Sequence, residues 1–119
     1  MSMALITVYS EERLRKDRRA LVEVDGTKIA LFFNGERFFA IRNTCPHTGA
    51  PLYWGNVTGT LLPGKPGEYV YGMEGLILEC PWHKREFNLE TGCNLTDERL
   101  RVRTYPLSIE AGQVQIDVG

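Results

Sequence analysis

The sequence predicts an all-β protein, and three observations carry that reading. Apolar residues recur at alternate positions over most of the chain, the pattern of half-buried strands. The dipeptides Asp25-Gly26 and Asn34-Gly35 separate consecutive apolar runs, and only one short segment carries a helix signal. At 119 residues the chain is expected to form one domain, residues 1–119, burying roughly two-thirds of its unfolded surface in a single core.

The N-terminal run Met3-Ala-Leu-Ile-Thr-Val-Tyr9 is apolar but too short for the hydrophobic region of a signal peptide. It leads into a charged stretch in which Ser10 is placed to cap a helical turn over Glu11–Lys16. The acidic residues come first and the basic ones last, as the helix dipole prefers. The Arg/Lys-rich patch at residues 13–19 is interrupted by Asp17 and reads as a solvated face.

Three strands follow, Ala20–Val24, Lys28–Phe33 and Arg37–Ile41. They are joined as hairpins by the Asp-Gly and Asn-Gly pairs, residues that tolerate the positive φ of such turns. Residues 55–75 hold six of the twelve glycines and two of the six prolines. They read as an extended surface loop, kept ordered by Leu61, Leu62, Tyr69, Val70 and Tyr71. Near the C-terminus, Leu100, Val102 and Thr104 alternate with Arg99, Arg101 and Arg103, so a strand is expected with its arginines outward. Pro106 interrupts it, Ala111-Gly112-Gln113 forms a turn, and Val114–Val118 closes the chain.

Fourteen basic and fifteen acidic residues leave a net charge of −1, which argues against binding nucleic acid. No apolar run is long enough to span a bilayer. Three cysteines cannot pair completely, so reduced thiols and a cytoplasmic location are expected, with metal binding favoured over a disulfide.

The chemistry is concentrated in two peptides, Cys45-Pro-His47 and Cys80-Pro-Trp-His83, which contain both histidines and two of the three cysteines. Prolines 46, 51 and 81 stiffen these loops, lowering the entropy lost when the donors are ordered, and Gly49 relieves steric limits in the first. The candidate ligands are Cys45, His47, Cys80 and His83. Four such donors admit two metals. One is a structural zinc, which would make the chain a zinc-stabilised interaction module. The other is a pair of irons, with both cysteines on one and both histidines on the other. After either site is built no histidine remains for further metal or acid–base chemistry, so no catalytic centre is expected. Cys93 is a surplus thiol, read as incidental packing. Trp82 and Leu52 are expected to shield the metal from water, with an apolar rim that meets a partner protein as the alternative, and Trp54 to pack in the core or a loop.

The segments Cys45-Pro-His-Thr-Gly-Ala-Pro-Leu52 and Cys80-Pro-Trp-His-Lys-Arg-Glu-Phe-Asn-Leu-Glu-Thr-Gly92 resemble the two cluster boxes of soluble Rieske-type [2Fe–2S] ferredoxins. The resemblance extends over nearly the whole chain. It implies a Rieske fold, with the first and last strands in an antiparallel, barrel-like base and a cluster-binding lobe at about residues 43–92. It also implies a one-electron carrier, passing electrons from a flavin-dependent reductase to a terminal oxygenase of the ring-hydroxylating type. The small subunit of a nitrite-reductase-like complex is the related alternative. Two features depart from the family pattern: the long spacer between the boxes, and Lys84, which stands where a glycine commonly follows the second histidine. High-potential relatives carry an extra cysteine in each box and hydroxyl groups near the sulfurs; the matching positions are Ala50 and Trp82, and Arg85 and Phe87. The lack of those donors implies a potential on the order of −150 mV.

Overall fold

A computed structural model describes residues 5–46, 49–63, 69–82, 84–97 and 99–118; residues 60–63 and 69–74 are described by their backbone alone. The all-β expectation holds. The strands are β1 (Leu5–Ser10), β2 (Arg19–Val24), β3 (Thr27–Phe33), β4 (Phe38–Arg42), β5 (Asn56–Pro63), β6 (Tyr69–Glu79), β7 (Glu86–Asn88), β8 (Leu107–Glu110) and β9 (Gln113–Asp117). They form three antiparallel sheets in the orders β1-β9-β8, β2-β3-β4 and β5-β6-β7. The first and last strands therefore pair, as expected.

The sheet β2-β3-β4 is the middle layer, because side chains alternate across a strand and both of its faces are covered. Ala30, Phe32, Phe39 and Ile41 point into one buried cluster, which also holds Cys45, Leu52, Leu78, Cys80 and Phe87. Ile29, Leu31, Phe33 and Ala40 point into a second, with Leu14, Val114 and Ile116. Burial on both faces explains why β3 reads as an unbroken apolar run, Ile29–Phe33, rather than an alternating one.

The single α-helix among the described residues, α1 (Glu11–Asp17), starts where Ser10 Oγ accepts the Arg13 N–H at 3.3 Å, and it buries Leu14. The Asp25-Gly26 pair makes the expected two-residue turn, with φ of 49° and 82°. The Asn34-Gly35 pair does not. Phe33 pairs with Phe38, leaving a four-residue loop whose start is held by Asn34. Its side-chain oxygen accepts the N–H groups of Glu36 and Arg37 at 2.9 and 2.7 Å, so the longer loop loses no hydrogen bond.

Two further expectations change. Residues 55–75 are not an extended loop: β5 and β6 pair there as a long hairpin, with Leu61 opposite Tyr71 and Leu62 opposite Val70. Its glycines mark a bulge, since the register jumps from Thr58↔Ile77 to Thr60↔Gly72 around Gly59. Residues 99–104 keep the expected alternation, with Val102 buried and Arg99, Arg101 and Arg103 exposed, but they form no continuous strand. They change partners midway. Cys93 bridges to Arg101, whereas Ile41 bridges to Thr104, and the Arg42 N–H donates to the Arg103 carbonyl at 2.9 Å.

Candidate metal centre

The two candidate ligand peptides emerge at one end of the sheet β5-β6-β7. Cys80 directly follows β6, and its loop returns as β7. Cys45 lies three residues beyond β4, and its loop passes through a single 3-10 turn (Leu52–Trp54) into β5. Register ties the ends together, because Asn56 pairs with Glu79 and Glu79 with Glu86.

The loops share one hydrogen-bonded shape. The Cys45 N–H donates to the Ala50 carbonyl at 2.9 Å, and the Cys45 carbonyl accepts the Gly49 N–H at 2.8 Å. The Cys80 N–H donates to the Arg85 carbonyl at 2.8 Å, and the Cys80 carbonyl accepts the Lys84 N–H at 3.0 Å. In both, the residue four places after the cysteine has positive φ: 77° at Gly49 and 54° at Lys84. Each loop thus offers one thiol from the same position on the same frame.

That frame turns the cysteines inward. Cys45 is 1% exposed and Cys80 fully buried, both in the cluster that contains Leu52, Phe87 and Ala50. Prolines 46 and 81, Gly49 and Lys84 are exposed on the same loops. His47 and His83, the other two candidate ligands, lie outside the described residues.

Three residues that sequence reasoning missed brace this end. Asn43 Oδ1, buried, accepts the Tyr53 N–H at 2.6 Å and so anchors the turn behind Cys45. The Arg19 guanidinium reaches across from β2 to the carbonyl oxygens of Tyr53 and Gly55, the latter at 2.8 Å. Gly55 has an ordinary φ of −71°, yet a Cβ there would sit 2.4 Å from the Glu79 carbonyl oxygen. Glycine is needed at 55 because the two loop bases touch there. The Arg19 and Gly55 contacts join segments far apart in the sequence, and the Asn43 contact spans ten residues of loop, so no local signal announces them.

Trp54 packs in its loop and not in the core: it is 69% exposed, edge-on to Tyr53. Leu52 is fully buried and so able to shield the thiols, but Trp82 is 59% exposed and faces solvent. Cys93 is half-buried and outside the cluster that holds the other two cysteines.

The donor set fits a metal cluster. Two buried thiols share an apolar environment without a disulfide, and among the described residues no charged side chain is buried with them. Thiolates there need a cation for neutralisation, and a metal bound directly to sulfur supplies it. A family model described as a Rieske-like [2Fe–2S] domain matches residues 4–117.

The chain belongs to the Rieske-like [2Fe–2S] domain family. Its group is thus an iron–sulfur cluster, and the zinc alternative is set aside. This Rieske domain is 30% identical over 96 residues to the ferredoxin component of a p-cumate 2,3-dioxygenase system from Pseudomonas putida, spanning 79% of this chain and 68% of the relative. It is 33% identical over 94 residues to the 3-phenylpropionate/cinnamic acid dioxygenase ferredoxin subunit of Escherichia coli K12, spanning 76% of this chain and 72% of the relative. Its fold matches the ferredoxin of carbazole 1,9a-dioxygenase from Nocardioides aromaticivorans with a TM-score of 0.72 at 24% identity, over 96% of this chain and 97% of that one. The Rieske domain is an electron carrier, in keeping with these relatives.

Proposed function

We propose that this Rieske domain is the ferredoxin component of a redox system, taking single electrons from a flavin-dependent reductase and delivering them to a terminal ring-hydroxylating oxygenase. Cys45 and Cys80 would hold one iron and His47 and His83 the other. The observation that carries this reading is the pair of buried thiols, Cys45 and Cys80, presented by two loops with one hydrogen-bond pattern.

When bound, the cluster supplies one-electron redox chemistry. Two ferric ions, two sulfides and two thiolates sum to zero charge, so reduction adds a single negative charge. The chain's own residues contribute rigidity and exclusion of water. Ala50, Leu52 and Phe87 surround the thiols with apolar surface, while Asn43 and Arg19 hold the first loop on the central sheet. A rigid setting of this kind keeps the reorganisation on electron gain small. The whole chain, residues 1–119, would act as a single domain without a catalytic site of its own, in the cytoplasm. Among the described residues no helix is long and apolar enough to cross a membrane.

EPR of the dithionite-reduced protein tests the ligand set. Mixed cysteine and histidine ligation gives a lower average g-value than an all-cysteine cluster. An all-cysteine spectrum, or a colourless protein after reconstitution with iron and sulfide, would refute the reading. Reduction by NADH only when a flavin reductase is added, followed by oxygenase turnover, would establish the carrier role. Co-purification with a large siroheme protein would instead assign the domain as a fixed nitrite-reductase-type subunit.

A further inference from the structure

We infer that Lys84 selects the redox partner, by presenting an exposed cation on the second cysteine loop to an acidic protein surface. This rests on the carrier function proposed above and adds the chemistry of the surface that meets it.

The first observation is charge. Residues 43–55 and 80–85, the two loops and the turn that follows the first, contain only two charged side chains, Lys84 and Arg85, although the chain as a whole carries −1. Lys84 is exposed and Arg85 half-buried; the nearest acids in the strands behind, Glu79 and Glu86, are half-buried. No ion pair to Lys84 is found among the described residues.

The second observation is conformational. Lys84 has a φ of 54°, where its counterpart in the sister loop is a glycine at 77°. The backbone at this position favours glycine, and a lysine there is disfavoured by the fold itself. Its role is therefore sought in its charge, not in the stability of the loop.

The third is composition. Both tryptophans of the chain, Trp54 and Trp82, belong to these segments and are 69% and 59% exposed. Exposed tryptophan beside a cation, at the end of the molecule where the thiols lie, has the make-up of an interface centre. Charge complementarity then assigns the partner an acidic face, which would steer encounter and fix orientation.

Two measurements on the holoprotein test this. In the first, the reduced protein is oxidised by p-benzoquinone, an uncharged acceptor, in the presence of polyglutamate or polylysine. Polyglutamate is expected to slow oxidation and polylysine to leave it unchanged, with the polyglutamate effect on the order of threefold weaker in Lys84→Gln. Equal inhibition of wild type and Lys84→Gln, or inhibition by polylysine instead, would overturn the proposal. Midpoint potentials of both proteins separate a change of driving force from a change of encounter. The second measurement needs no redox activity: iodide and caesium quenching of the two tryptophans. Iodide is expected to be favoured in wild type and the preference lost in Lys84→Gln; no difference between the two proteins counts against the proposal. A protein that takes up no redox-active cluster would defeat the carrier reading alone, and the quenching result would still decide the role of Lys84.

Discussion

Gly49 and Lys84 are equivalent residues: each lies four places after a cysteine, has positive φ, and donates its N–H to that cysteine's carbonyl oxygen. The two loops are thus one device used twice, with glycine in one copy and lysine in the other. A non-glycine residue in this region costs about 1 kcal/mol relative to glycine.

Exchange at these positions is therefore expected to act with opposite signs. Lys84→Gly should stabilise the protein by about 1 kcal/mol, less a few tenths for the greater freedom of glycine in the unfolded chain. Gly49→Ala should destabilise it by about 1 kcal/mol through φ alone, since a Cβ at 49 meets nothing within 4 Å. Urea midpoints of the two variants against wild type check this. Stabilisation by Gly49→Ala would show that the frames are not equivalent.

Gly55→Ala is expected to be the more damaging glycine replacement, although its φ is ordinary. The added Cβ would meet the Glu79 carbonyl oxygen, a backbone atom beside Cys80 that cannot rotate away. The loop bases must part, at a cost of about 1–3 kcal/mol. Faster loss of iron, followed by the decay of visible absorbance in the presence of a chelator, should accompany the lower urea midpoint.

Cys45→Ser and Cys80→Ser should each abolish a stable cluster, read as iron content near zero and no EPR signal after reduction. Cys93→Ala should leave both unchanged, because Cys93 lies outside the buried cluster of the other two thiols. Iron removal from the wild-type protein should lower its thermal midpoint, since metal binding contributes to folding free energy. An unchanged midpoint on chelation would mean that the thiols are structural by themselves.

A potential of about −150 mV is expected, near the low end of the Rieske range, because Arg85 and Phe87 stand where high-potential relatives carry hydroxyl groups. Phe87 is fully buried in the same apolar cluster as Cys45 and Cys80. Phe87→Tyr is therefore expected to raise the potential by tens of mV, on the order of a single donor's effect. Redox titration of the two proteins measures it; an equal or lower value in the variant would show that position 87 does not reach the cluster.

Much of this was legible in the chain. Asp25-Gly26 marked its turn because positive φ is a local demand that glycine meets locally. Ser10 and Glu11 marked the helix start for the same reason. Asn34-Gly35 misled because one side chain satisfied two N–H groups and lengthened the loop. Residues 55–75 misled through glycine and proline content, which describes a bulged hairpin as well as it describes a loop.

By itself, then, the sequence determined the class of fold, through alternation and turn residues, and pointed to metal chemistry, through candidate thiol and imidazole donors in two boxes. Only the tertiary structure decided that Cys45 and Cys80 are buried while Trp54 and Trp82 face solvent, that Gly55 is wedged against Glu79, and that Lys84 occupies a glycine's conformation. The physical reason is range. Turn chemistry and donor type are properties of neighbouring residues, whereas burial, close backbone approach and the φ imposed on a loop depend on what the rest of the chain packs against it.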